Sequence, residues 1–149
     1  MPQSKPENGW EGVRKGKPEV GTSASRSRMT RQSDIEAFSE MTGDRNPIHY
    51  DRALAEESVF GKVIVQGGVT TGILNACVAE DLPGPGTVFL GLELKFLKAV
   101  GVGETITGHV EVLSVRDDKP ICTLDVAVTD GDGAVLVSGK ATTYTVPLD

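Results

Sequence analysis

The hydrophobic period of this chain changes once, abruptly, at Pro83-Gly84-Pro85-Gly86. Before that cluster, Val69, Ile73, Ala76 and Cys77 follow the glycine pair Gly67-Gly68 at helical spacing, which predicts one buried helix. After it, apolar residues alternate. Val88, Leu90, Leu92, Leu94 and Phe96 form the first row, and Ile106, Gly108, Val110 and Val112 the second. Leu124, Val126 and Val128 follow, then Val135, Val137, Gly139 and Ala141. Alternation places each row on one face of a strand, and the four strands are separated late in the chain by two hairpin turns, Asp117-Asp118-Lys119-Pro120 and Asp130-Gly131-Asp132-Gly133. A buried helix followed by four or five antiparallel strands covers its apolar surface when the sheet wraps around it. The expected class is α+β.

With 149 residues and 38% hydrophobic content, the chain has one core's worth of apolar side chains. Its net charge of −6 and the lack of a basic stripe argue against nucleic acid as a partner. No apolar stretch approaches the ~20 residues that span a bilayer, and the amino terminus has no apolar signal core. The expected location is therefore the cytoplasm, with no membrane contact. Cys77 and Cys122 have no metal-like spacing and are expected to be free thiols, so no metal is implied. The aspartate-glycine turn at Asp130 lacks the remaining ligands and closing glutamate of a calcium loop.

Residues 1 to 22 are polar and rich in glycine and proline, which predicts a mobile arm ahead of a domain over residues 23 to 149. Trp10 is the exception within it, packing on the domain or a partner subunit, or else exposed. Ser33-Asp34-Ile35-Glu36 reads as a capping box. Ile35, Phe38 and Met41 then give a helical apolar face that Gly43 ends.

That helix delivers Asp44-Arg45-Asn46-Pro47-Ile48-His49, a carboxylate and an imidazole five residues apart around a proline. Pro47 fixes its own φ and pushes Asn46 out of the helical region, so both ends of the hexapeptide can face one cleft. The two groups are suited to proton transfer. The alternative is a turn held by its own Asp and Asn side chains, with an incidental histidine. The glycine pair also has two readings: a helix N-terminus whose free N–H groups meet an oxyanion, or simply close packing of helix on sheet. Thr71 and Asn75 share a polar stripe on this helix, and a buried asparagine needs a partner.

Asp44 to His49 resemble the Asp-x-Asn-Pro-x-His signature of the MaoC-like, (R)-specific enoyl-CoA hydratase family, hydratase 2. The similarity continues through Tyr50-Asp51, Val65-Gln66-Gly67, Gly91 to Phe96 and Val102 to Thr105, roughly residues 25 to 145. Gln66 stands where the family usually has histidine, Ala99 where proline is frequent, and Asn75 where serine often accompanies the aspartate. The resemblance implies a hot-dog fold, an antiparallel sheet around a central helix, assembled as a homodimer or dimer of dimers.

It also implies hydration of a trans-2-enoyl-CoA to the (R)-3-hydroxyacyl-CoA. Asp44 is then the expected base, with His49 orienting water and carrying the proton, though which does which stays open. Gly67 N–H is the oxyanion donor. Asn46, Gln66 and Asn75 support the site, Asn75 by bonding Asp44, and Tyr50, Phe60, Val65, Gly68 and Thr71 contact the substrate. No cofactor is implied beyond the coenzyme A of the substrate. The alternatives are a dehydratase acting on carrier-protein or dicarboxylic substrates, a thioesterase, or a non-catalytic acyl-CoA-binding subunit. Hydrolysis is disfavoured, because the nearest helical acid is Glu80, at the far end of the helix.

Overall fold

Helix α3 (Gly67–Ala76) turns Ile73, Leu74 and Thr70 toward the sheet and widens into a π turn over Cys77–Asp81. It comes close because Gly108 lies beneath it. A Cβ there would sit 2.9 Å from Ile73 Cγ2 and 3.1 Å from Cys77 Sγ. The computed structural model describes residues 8–149. In chain order the other elements are β1 (Ser23–Met29), α1 (Gln32–Thr42), a 3₁₀ turn (Pro47–His49) and α2 (Arg52–Glu57). Strands β2 (Thr87–Phe96), β3 (Thr105–Val115), β4 (Ile121–Thr129) and β5 (Val135–Thr145) follow α3.

The five strands form one antiparallel sheet in the order β1-β3-β4-β5-β2. Alternate residues of its middle strands, Ile106, Val110, Val112, Leu124, Val126 and Val128, are buried with α3 in a single core. This is the α+β helix-and-sheet arrangement the period change predicts. The expected row on β2 is broken, however. The register shifts between Phe89 and Gly91, and this bulge brings Phe89 and Leu94 against the core while Val88 and Leu90 are exposed. Likewise Leu136 is buried on β5 where Val135 was expected.

Strand β1 has no counterpart in the sequence reading, because Ser-Ala-Ser-Arg-Ser-Arg-Met carries no apolar alternation. It is an edge strand held by backbone pairing to β3, with Ser25 opposite His109 and Met29 opposite Thr105.

The stretch expected to be a mobile arm is laid against the sheet from residue 8 onward, and residues 1 to 7 lie outside the described residues. Trp10 is 3% exposed, and its Nε1–H donates to the carbonyl of Arg116 at 2.7 Å. Val13 is buried beside it, and Gly9 N–H and Gly21 N–H donate to Asp117 and Val112. Burying a large ring at the β3–β4 turn outweighs a breaker-rich composition.

Helix α1 begins earlier than the Ser33 box predicts. Asp34, at its third position, accepts from Arg31 N–H at 2.8 Å. Gly43 closes the helix in the left-handed region at φ 84°, as expected. Ile35 and Ser39 take the buried positions and Met41 is exposed. Among the described residues, no helix is long and apolar enough to cross a membrane.

Candidate active site

Three short-range hydrogen bonds shape the loop after α1. Asp44 N–H donates to Thr42 Oγ1 at 3.1 Å, Asn46 N–H to Asp44 Oδ1 at 3.1 Å, and Ile48 N–H to Asn46 Oδ1 at 3.3 Å. These side chains hold their own backbone two residues on, which is how Asp and Asn build turns. With Pro47 opening the 3₁₀ turn, the chain reverses and sends His49 inward, to 6% exposure.

His49 Nδ1 lies 2.6 Å from the carbonyl oxygen of Ile64. A carbonyl only accepts, so Nδ1 carries a proton, and Nε2 is the unprotonated nitrogen whenever the ring is neutral. The carbonyl is itself fixed. Ile64 bridges to Gly101, and Val65 N–H donates to Val100 O at 2.8 Å.

A cavity of about 520 Å³ opens at this histidine, lined also by Phe60, Val65, Gly67, Thr70 and Phe96. Its walls are mostly apolar, and Lys98 is the one Lys or Arg among its lining residues. Gly67 is the first residue of α3, where backbone N–H groups have no partner within the helix and the dipole is positive. The close-packing reading of the glycine pair has a direct basis in the contacts that a Cβ would meet. A Cβ on Gly67 would come within 2.8 Å of Phe96 Cε2, and one on Gly68 would overlap the ring of Phe38.

The structure thus brings His49, Gly67, Phe60 and Val65 of the expected site together. Asp44 is half-buried at the end of α1, does not line this cavity, and has no hydrogen bond to His49. Asn46 is exposed and serves the turn. Gly68 lines a separate groove with Phe38 and Ile73, and Thr71 is half-buried with Oγ1 3.5 Å from Gly68 O. The expected bond from Asn75 to Asp44 is not made. The helix period carries Thr70, Ile73 and Leu74 to the sheet and leaves Asn75 exposed, so the premise of a buried amide fails.

Tyr50 is also corrected. It borders a hollow with Arg45, Pro47 and Asp51 rather than the His49 cavity, and its hydroxyl is hydrogen-bonded to Ser39 Oγ. Gln66 is 2% exposed and donates through Nε2 to Ile35 O at 3.2 Å and Ser39 Oγ at 3.1 Å. Ser39, Thr70, Phe96 and Lys98 were missed by the sequence reading. Thr70 had a signal, standing three residues after Gly67 and hence on the same helix face. Both cysteines are buried free thiols, pushed up to about 11 by burial, for Cys77 with a further contribution from the Asp81 charge. Neither is a nucleophile at neutral pH.

The MaoC-like domain matches residues 14–132. The chain belongs to this family. It is 37% identical over 123 residues to an (R)-specific enoyl-CoA hydratase of Aeromonas caviae, covering 83% of this chain and 92% of that protein. It is 36% identical over 129 residues to a 3-hydroxybutyryl-CoA dehydratase of Methylorubrum extorquens, covering 82% of each. Among solved structures, an (R)-hydratase from A. caviae involved in PHA biosynthesis superposes with a TM-score of 0.82 at 35% identity, over 87% of this chain and 98% of that one. The MaoC-like fold at this similarity is the hot-dog fold, with α3 as the helix inside the sheet.

Proposed function

We propose that this MaoC-like protein adds water reversibly across the C2=C3 bond of a trans-2-enoyl-CoA to give the (R)-3-hydroxyacyl-CoA. The observation that carries the reading is the His49 ring, whose Nε2 is left free by the Nδ1 contact to Ile64, in the same apolar cavity as the N-terminus of α3. Similarity to relatives named as hydratase and dehydratase supports the reaction class in its two directions.

Attack of water on C3 forms a C–O bond, moves the π electrons toward the thioester oxygen, and requires loss of one water proton. His49 Nε2 is assigned to accept that proton, and Gly67 N–H to hold the charge on the oxygen. Return of that proton from His49 Nε2 to C2, as the electrons flow back from the thioester oxygen, completes the addition. Asp44 is assigned as the second proton-handling group, its Oδ1 engaged by Asn46 N–H and its Oδ2 without a hydrogen bond among the described residues. The two groups are assigned to act on the same attacking water. Addition of water changes no net oxidation state, so the step calls for no redox cofactor.

The reading includes a homodimer. β2 is an edge strand with Val88, Leu90, Leu92 and Phe96 exposed, and an apolar open edge of this kind invites pairing with another strand. Val59, 96% exposed, and Leu97 line the His49 cavity, so a second copy joined along β2 would cover its rim as well. The cytoplasm is its proposed location, supported by a sequence without a long apolar segment.

The test follows loss of the conjugated thioester absorbance with crotonyl-CoA, coupled to dehydrogenases of known stereochemistry. Hydration with oxidation only by the (R)-specific enzyme is expected. Signal through an (S)-3-hydroxyacyl-CoA dehydrogenase would sink the assignment, and release of free thiol without hydration would point to hydrolysis.

A further inference from the structure

Two of the residues placed at this site each have a neighbour in one hydrogen-bonded polar chain, buried at Ser39 and Gln66. Tyr50 follows His49, and Gln66 precedes Gly67 as the N-cap of α3. Between them stands Ser39 of α1, fully buried, its Oγ hydrogen-bonded to the Tyr50 hydroxyl and accepting from Gln66 Nε2 at 3.1 Å. The second N–H of that amide goes to Ile35 O at 3.2 Å. The chain therefore runs from the histidine loop, through α1, to the N-cap of α3, one residue before Gly67.

We propose that Tyr50, Ser39 and Gln66 are positioning residues that set the distance between the His49 ring and the Gly67 N–H. The proposal rests on the hydration reading above.

A purely stabilising contact among these three segments would be served by apolar packing. Here the amide is kept even though Gln66 Oε1 is buried with no hydrogen-bond partner among the described residues, a state that costs stability. Apolar surfaces slide past one another at little cost, whereas hydrogen bonds fix distance and direction. The reaction needs such a fixed distance, because C3, where water attacks, and the thioester oxygen, where charge develops, belong to one rigid conjugated group. Tyr50 also has no second task in the cavity, which it does not line.

The experiment compares steady-state hydration of crotonyl-CoA by wild type, Tyr50→Phe, Gln66→Leu and the double variant, with thermal midpoints measured alongside. Tyr50→Phe deletes one hydroxyl from a residue that is 40% exposed, so it leaves the fold intact. Each single change is expected to lower kcat about 10-fold while KM stays within about twofold, as misplacement of reacting groups does. The double variant should be no slower than the worse single one, since both cut the same chain. Gln66→His, which keeps a ring N–H donor, should recover part of kcat. Wild-type kcat in Tyr50→Phe, a rise in KM with kcat intact, or fully additive losses would overturn the proposal.

A readout that does not depend on turnover keeps this separate from the hydratase assignment. The amide resonance of Gly67 should shift in Tyr50→Phe and in Ser39→Ala, although neither residue adjoins it in sequence. An unmoved Gly67 signal in both variants refutes the bridge even if wild type hydrates crotonyl-CoA, and a shifted one supports it even if it does not.

Discussion

His49 Nδ1 and the Ile64 carbonyl, 2.6 Å apart, decide which face of the imidazole meets the cavity. The carbonyl holds the ring in one tautomer, so Nε2 is the nitrogen free to take a proton. A backbone acceptor cannot be removed by mutation, which makes the ring itself the point to test. His49→Gln and Asp44→Asn are each expected to lower kcat for crotonyl-CoA by at least ~10², the usual contribution of a positioned acid or base. Thermal midpoints should stay near that of wild type. Turnover close to wild type in His49→Gln would exclude it as the base.

Much of the frame was legible because core-facing rows repeat. The switch from helical to alternating spacing located α3, β3 and β4, and the turns at Asp117 and Asp130 fell between strands. β1 was not legible, since an edge strand bound through its backbone needs no apolar row. The β2 row misled because one extra residue at the bulge exchanges the two faces. At the site, the hexapeptide and Gly67 announced themselves through turn chemistry and helix-end geometry. Ser39 and Lys98 did not, because their roles depend on contacts with Tyr50, Gln66 and Asp130 that lie 11, 27 and 32 positions away.

Trp10 tests the amino-terminal segment. Its ring is buried and its Nε1–H is bonded to Arg116 O, so Trp10→Ala leaves a cavity and an unpaired carbonyl. Buried tryptophan to alanine costs about 3 kcal/mol or more, which at this chain length lowers the thermal midpoint by at least about 6 °C. Removing residues 1 to 22 should cost at least as much. A midpoint unchanged by either would mean the segment is not docked in solution.

The two thiols predict how stability responds to alkaline pH. Burial raises both to about 11 in the folded chain, above the ~8.5 of an exposed thiol. Below the unfolded value both states keep the proton and stability is unaffected. Between that value and about 11, only the unfolded chain ionises, so stability falls as pH rises. The midpoint of chemical unfolding should drop from pH 9 to pH 11, and the slope should flatten in a Cys77→Ala, Cys122→Ala double variant. An equal slope in that variant would assign the loss to other groups.

Lys98 tests which end of the substrate lies at the cavity rim. It is the one Lys or Arg lining the His49 cavity, more than half exposed, with Nζ 3.4 Å from Asp130 Oδ2. Asp130 is itself anchored, because N–H groups of Ala134 and Asp132 hold its carboxyl below the usual range. An ammonium group tethered at the mouth of an apolar cavity suits the phosphates of coenzyme A while the acyl group lies inside. Lys98→Ala should therefore raise KM for crotonyl-CoA by about threefold, the scale of one exposed ion pair, and leave kcat alone. Crotonyl-pantetheine, which lacks phosphate, should show no change in KM. Added salt should raise KM for the wild type and have less effect on the variant. An equal rise in KM for both substrates would mean that Lys98 shapes the cavity and does not meet the phosphates.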